Sequence, residues 1–219
     1  MNEYSLEPLE TLSAQAVAEV RRIYEEGFPA HQRAAFSELY SADLTGRDGE
    51  FALALVGTDH SGGGQPCGFA MLRPLGDTGW VFLRYIVVDE RQRGQGLGGL
   101  LWDQLTARLR ADGYTLLVFD VDDPAEPGFG PDEVKIRMRR IGFYERHGAS
   151  LLPVTGYRTP HAGSHDADPE WTPMLLLTAP LTDGNPVPEA APVVDAVHRY
   201  RWQLDPGDPE VAGVLINSQ

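Results

Sequence analysis

The segment Arg91-Gln92-Arg93-Gly94-Gln95-Gly96-Leu97-Gly98-Gly99 is where residue types and spacing most directly imply chemistry. It follows the apolar run Ile86-Val87-Val88 and precedes leucines at helical spacing, so it reads as a loop between a strand and a helix. A helix N-terminus presents unpaired backbone N–H groups and roughly half a positive charge, and a loop poor in side chains lets a pyrophosphate approach that backbone directly. Arg91 and Arg93 add fixed positive charge. A purely structural turn explains this loop poorly, because glycines are costly to order without a reason for close backbone approach.

Gly94, Gly96 and Gly99 also satisfy G-x-G-x-x-G, and Asp120 lies about where a ribose-binding acid would fall, so a dinucleotide-binding oxidoreductase must be weighed. Three features oppose it. The loop follows several strand-like runs instead of opening the chain, the remainder offers no second parallel half, and arginine at the front of the loop has no role in that fingerprint.

A second block, Arg139-Arg140-Ile141-Gly142-Phe143-Tyr144-Glu145-Arg146-His147-Gly148-Ala149, follows on a helical stripe. Ile86-Val87-Val88 with Arg91-x-x-Gly94-x-Gly96 resembles the phosphate loop of the GCN5-related N-acetyltransferases, and the second block resembles their later Phe-Tyr-x-x-x-Gly segment. The order and separation match, and the resemblance covers roughly Tyr4 to Leu181, most strongly Trp80 to Ala149. It implies acetyl-CoA as donor, its pyrophosphate on Arg91 to Gly99 and its pantetheine beside a splayed parallel strand pair at Ile86, Val87 and Val88. Succinyl- or propionyl-CoA would use the same cradle.

Attack of an amine on a thioester needs no enzyme nucleophile. Three tasks remain: a neutral amine, a donor to the developing oxyanion, and a proton for the departing thiolate. The resemblance gives the last to Tyr144 and the oxyanion to the backbone N–H of Val88. A phenol stays protonated at neutral pH and can serve as that donor.

Related chains often carry Glu four residues ahead of the Val88 position, where this chain has Arg84. Arginine cannot act as a base at ordinary pH. An amine of pKa near 10.4 is neutral in roughly one molecule in a few thousand at pH 7, which amounts to about 4–5 kcal/mol. Arg84 reads either as an ion-pair partner of Asp120 on the next strand or as a recogniser of an anionic group on the substrate. Proton removal then falls to a water relayed to Asp122, Glu26, His31 or Glu38. Arg84 in the usual acidic position also motivates a different reading, a protein of this fold that binds CoA as a sensor or interaction module without turnover. Arg137 stands where many relatives have Asn beside the cofactor.

Several elements must position these groups, and they predict a mixed α/β fold. Tyr4 to Leu9 reads as a strand, and Ser13 caps a helix with Val17, Val20 and Tyr24 on one stripe, stopping at Gly27. A short helix is expected from Pro29 to Tyr40. Glu50 to Val56, Cys67 to Arg73 and Trp80 to Val88 form an antiparallel meander. Leu97, Leu100, Leu101, Leu105 and Leu109 mark the helix after the loop, and Leu116 to Val121 a buried strand parallel to Trp80–Val88.

Pro131 opens the next helix, whose stripe is Val134, Met138 and Ile141. Ala149 to Val154 and Met174 to Ala179 close the sheet, joined by a polar loop with Tyr157, His161, His165 and Trp171. Residues 1–182 are expected to form the acetyltransferase domain, and 183–219 a tail with short apolar-striped segments at Val193 to Trp202 and Pro209 to Ile216. Phe28, Gln32 and Arg33, and the Tyr157 to Trp171 loop, border the expected acceptor groove.

Composition bounds the partners. A chain of 219 residues suffices for one main core. Its net charge of −14 argues against nucleic acid and anionic membranes; solubility explains that charge most simply, and a cationic acceptor is compatible with it. Cys67 is the single cysteine, which excludes an internal disulfide framework, and no third ligand is spaced with His161 and His165, so no metal is expected. Neither a leader nor a membrane-spanning stretch is visible, which points to a cytoplasmic protein acting on acetyl-CoA and an amine, with homodimerisation open.

Overall fold

A computed structural model describes residues 3–30, 33–39, 49–58, 64–160, 171–182, 184 and 188–216. His31, Gln32, His161 and His165 lie outside the described residues, as does the side chain of Glu38.

Among the described residues the strands are β1 (Glu3–Pro8), β2 (Phe51–Thr58), β3 (Gly64–Pro74), β4 (Trp80–Val88), β5 (Leu116–Asp122), β6 (Ser150–Leu151), β7 (Val154–Thr155), β8 (Arg158–Pro160), β9 (Trp171–Pro180) and β10 (Leu215–Ile216). The α-helices are α1 (Ala14–Gly27), α2 (Phe36–Leu39), α3 (Leu97–Ala111), α4 (Pro131–Arg146), α5 (Ala190–Ala196) and α6 (Pro209–Ala212). The main sheet runs β1-β2-β3-β4-β5-β9-β6, with β8 also on β9. β1–β2, β2–β3, β5–β9 and β6–β9 are antiparallel, and β4–β5 is parallel as the crossover through α3 requires. This is the mixed, largely antiparallel sheet flanked by helices that the sequence predicts.

The described residues fall into two compact units, one from those before residue 74 and those at 83–112, the other from those at 74–82, 113–160 and from 171 onward. In the first, α1 starts where Ser13 Oγ accepts from the Ala16 N–H at 3.2 Å. Its Val20, Ile23 and Tyr24 pack with Ala52, Ala54, Phe69, Tyr85 and Val87 of the sheet. The expected helix from Pro29 to Tyr40 shrinks to α2. Between α1 and α2 the chain is held from outside instead: the Ala34 N–H donates to Tyr85 Oη at 3.3 Å, and Arg33 donates to the carbonyls of Glu25 and Phe28 at 3.1 and 3.0 Å.

In the second unit, Leu75, Phe82, Leu116, Val118, Leu152, Tyr157 and Leu176 share a core with Ala190, Val193, Val194, Ala196 and Val197. A π-helical turn, Val197–Trp202, continues α5, and β10 pairs with β7. The stripe expected on α4 differs from the one observed. Arg137 and Tyr144 are its buried residues and Met138 is 60% exposed, because Tyr144 packs on the sheet while Arg137 is drawn inward by carboxylates. Ala149 to Val154 forms two separate two-residue strands, one on β9 and one on β10.

Candidate active site

In the first unit the loop after β4 begins at Asp89, which is 3% exposed. Its backbone N–H donates to Cys67 O at 2.8 Å, and its carboxylate accepts from the Arg91 N–H at 3.1 Å and from Arg22 at 2.8 Å. Burial alone would push this carboxyl upward; the Arg91 amide and the Arg22 guanidinium overcome it and hold the pKa below the ordinary value. Arg22 also bonds Glu19 at 2.6 Å and Glu26, while Arg91 reaches Glu26 at 3.6 Å. The base of the loop is therefore clamped to α1 by charge-assisted hydrogen bonds.

Beyond that clamp the backbone turns left-handed at Gly94 and Gly96, with φ of 82° and 79°. Side chains adopt this region poorly, which is why glycine stands at both. A Cβ added at either would meet nothing within 4 Å. Gly96 precedes α3 without any side-chain cap, and the first intrahelical bond runs from the Leu100 N–H to Gly96 O at 3.1 Å. The N–H groups of the first turn thus have neither an intrahelical partner nor a capping side chain. Uncapped donors, a positive dipole end and open space fit the pyrophosphate of a nucleotide cofactor.

Arg91, Arg93 and Gln95 are exposed around this loop, Leu97 is buried, and Gly98 and Gly99 lie half-buried in the first turn of α3. Ile86 and Val88 pack with Leu97 and Leu101, whereas Val87 faces the α1 cluster. Phe28 packs tilted against Tyr24 and edge-on against Tyr85, with centroids 5.5 and 5.1 Å away, and Arg33 donates to backbone carbonyls.

Arg84 meets a different acid from the one expected. Its Nη1 lies 2.6 Å from Glu50 Oε2, and Arg73 reaches the other oxygen of Glu50 at 3.3 Å. Glu50 stands one residue before β2, whose Phe51 pairs with Leu72 of β3 next to Arg73, and Arg84 lies on β4.

In the second unit, Tyr144 packs on Phe119 with ring centroids 4.6 Å apart, and burial pushes its phenol up to about 12. Asp120, the next residue of β5, accepts a hydrogen bond from Tyr157 Oη at 3.0 Å, and Trp202 Nε1 donates to that same oxygen at 3.0 Å. Burial raises Asp120 to about 6, partly offset by Arg201 and Tyr157. Asp122 is ion-paired with Arg140 at 2.6 Å. Arg137 bonds Glu126, Glu133 and the Asp123 carbonyl, with its guanidinium 3.8 Å from the Phe129 ring.

Sequence reading missed Asp89, Arg22, Glu50, Arg73 and Trp202. Only the Arg22 pairs with Glu19 and Glu26 carried a local signal, the helical i, i+3 and i, i+4 spacing. Among the described residues no group of three His, Cys, Asp or Glu side chains could hold a metal, and no helix is long and apolar enough to cross a membrane.

An α/β sheet with one parallel crossover and an uncapped, glycine-led helix start defines a class of nucleotide-cofactor-binding proteins. The profile of the acetyltransferase (GNAT) family matches residues 17–149, and the chain belongs to that family of enzymes. A search of curated proteins returned no match.

Solved structures share the fold. A protein assigned to the GNAT acetyltransferases from Bacteroides thetaiotaomicron superposes with a TM-score of 0.65 at 19% identity, covering 92% of this chain and 99% of its own. The ribosomal-protein-S18-alanine N-acetyltransferase from Escherichia coli gives 0.53 at 19% identity, covering 84% and 97%. An aminoglycoside 6′-N-acetyltransferase complexed with coenzyme A gives 0.52 at 15% identity, covering 84% and 99%.

Proposed function

We propose that this protein transfers an acetyl group from acetyl-CoA to a primary amine. The observation that carries this reading is the uncapped start of α3, where left-handed Gly94 and Gly96 leave open space before unpaired N–H groups. Arg91 and Arg93 supply charge beside the diphosphate, and Ile86, Val87 and Val88 line the thioester arm, with the Val88 N–H as oxyanion donor. Gln95, Leu97, Gly98 and Gly99 complete the cradle. When bound, acetyl-CoA supplies an activated acyl group whose carbonyl an amine attacks directly.

Tyr144 serves the leaving sulfur, and its burial refines that role. With its phenol near 12, full proton transfer to a thiolate of ordinary pKa near 8.5 is uphill by about 5 kcal/mol. Tyr144 therefore acts as a hydrogen-bond donor that releases its proton only as the nitrogen sheds one to replace it. Phe28, Arg33, Arg84 and Tyr157 are assigned to the acceptor side.

Calorimetric titration with acetyl-CoA, with a dinucleotide as control, tests the donor. Saturable micromolar binding of acetyl-CoA alone is expected. An amine panel follows, containing spermidine, an alanine-terminated peptide and an aminoglycoside, the latter two being acceptor types named by two structural relatives. A second reading rests on the Arg84–Glu50–Arg73 cluster, which fills the usual position of the base with a structural ion pair. Acetyl-CoA binding without transfer to any amine would establish that non-catalytic reading. Dinucleotide binding would replace both with an oxidoreductase.

A further inference from the structure

We propose that Asp120 is the proton acceptor for the incoming ammonium group, and that Tyr157 and Trp202 are the residues that position and tune it. The inference rests on the acetyl-transfer reading above and names the base that this reading lacks.

Of the proton acceptors expected from sequence, Glu26 and Asp122 are described, while His31 and the side chain of Glu38 lie outside the described residues. Arg84, at the position where an acid is expected, cannot take a proton. Glu26 is engaged by Arg22 and Arg91, Asp122 by Arg140, and Glu50 by Arg73 and Arg84. Each of these carboxylates already faces one or two guanidinium groups. Asp120 also faces a guanidinium, that of Arg201, but it accepts a hydrogen bond from the neutral Tyr157 phenol, and the residue is partly exposed.

Phe119 and Asp120 are consecutive on β5, so their side chains leave opposite faces of the strand. Phe119 carries the Tyr144 contact, and Asp120 accepts from Tyr157, to which Trp202 in turn donates. Hydrogen-bond donor and proton acceptor therefore flank one strand without neutralising each other.

The groups facing Asp120 are Tyr157, Arg201 of the π-helical turn and Asp122 of its own strand; Leu176 pairs with it across β9. The hydroxyl of Tyr157 receives one hydrogen bond from Trp202 and gives one to Asp120, so the pair forms a directed relay. Burial outweighs Arg201 and Tyr157 and leaves Asp120 near 6, above an ordinary aspartate and close to working pH, where a general base is most effective. A π-helical turn supplies both Arg201 and Trp202, and such turns recur at functional sites.

The ammonium gives one proton to Asp120, which passes it to solvent, and the freed lone pair attacks the thioester carbon. The C–N bond forms, the C–S bond breaks, and the sulfur takes a proton from Tyr144. The amide nitrogen sheds its second proton, which restores the phenol. The net products are the acetylamide, CoA thiol and one proton.

The test measures kcat/KM from pH 5 to 9 for the wild type, Asp120→Asn and Tyr157→Phe. It uses a panel amine that is protonated at neutral pH, such as spermidine, and hydroxylamine, which is already largely neutral. Asp120→Asn should lower kcat/KM for the protonated amine roughly 10²–10³-fold, spare hydroxylamine to within a few-fold, and leave acetyl-CoA affinity unchanged.

Tyr157→Phe removes a donor that stabilises the carboxylate, so the acidic limb of its profile should move to higher pH. Should Asp120→Asn fail to fold, Tyr157→Phe decides alone. Equal losses for both amines, no loss, or an unmoved limb in Tyr157→Phe would overturn the assignment. A wild-type protein that binds acetyl-CoA and acetylates no amine overturns the transfer reading and this inference together; an active wild type with an unimpaired Asp120→Asn variant overturns the inference alone.

Discussion

Between β4 and α3 the working groups are backbone N–H donors at a glycine-led, uncapped helix start. Around Asp120 the working groups are side chains from three separated stretches: β5, the segment before β8, and the turn after α5. The first is a site of conformation and the second a site of burial. A backbone cradle is lost when φ or space changes, whatever the charge elsewhere. A buried relay keeps its shape through small changes and responds instead in pKa. The two regions should therefore fail differently, one in cofactor affinity and the other in pH dependence.

The sharpest way to break the cradle is Gly96→Glu. A carboxylate would enter the open space before α3, where a pyrophosphate is expected, and acetyl-CoA binding should fall more than about 100-fold in calorimetry. Gly96→Ala separates charge from strain, because its φ of 79° costs a non-glycine residue about 1–2 kcal/mol while the space itself is free. Retained affinity in Gly96→Glu would remove the loop from cofactor binding.

Glu50→Gln tests the charge cluster of the first unit next. It leaves two guanidinium groups facing a neutral amide at a site where the Glu50 side chain is 8% exposed. Removing one partner of a buried ion pair should cost roughly 3 kcal/mol, read from denaturant unfolding. A loss below about 0.5 kcal/mol would mean that the cluster behaves as an exposed one.

These two regions also divide what could be read in advance. The cradle was legible because its meaning is local: strand end, arginines, glycines and helix stripe follow one another within one short segment. β4 was placed at its observed limits for the same reason. The order of strands was legible from periodicity, since apolar alternation and helical spacing are properties of neighbours in sequence.

The partner of Arg84 was not legible. Alternation along β4 suggested Asp120, and the fold instead brings Glu50, 34 residues distant in sequence, to the guanidinium. Trp202 is 45 residues from Tyr157, and nothing in its neighbourhood signals that its indole N–H completes a relay. The helix expected over Pro29 to Tyr40 failed because Tyr85, 51 residues beyond Ala34, claims the backbone N–H there. Tertiary hydrogen bonds overrode local propensity in each of these cases.

Tyr144→Phe sharpens the comparison on the second unit. The ring and its contact with Phe119 survive, so acetyl-CoA affinity and stability should change little. Turnover should fall roughly 10–100-fold, the range of one hydrogen bond to a charge that develops in the transition state. Equal kcat in Tyr144→Phe and wild type would remove the phenol from the reaction. A fall in affinity of the same size as the fall in turnover would show that it binds the donor without assisting departure of the sulfur.

The smallest expected effect is a gain in stability. Asp120 is raised in the folded state from 3.8 to about 6, so the folded protein holds a proton that the unfolded chain has already released between those values. Stability must then fall as pH rises through that window, because the native state binds more protons there than the unfolded state. Above pH 6 the full penalty applies, at most about 3 kcal/mol.

Asp120→Asn cannot ionise and still offers an oxygen to the Tyr157 hydroxyl, so it should unfold at a higher temperature than wild type at pH 8. A difference of about 2 kcal/mol is expected there, vanishing near pH 4. Asp89 should behave in the opposite way: its pKa is lowered, so it contributes stability at neutral pH that is lost on acidification, and its replacement should destabilise most where that of Asp120 stabilises most. Parallel responses of the two variants across pH would mean that Asp120 is not held against the preference of its charge, and the contrast between cradle and relay would fall with it.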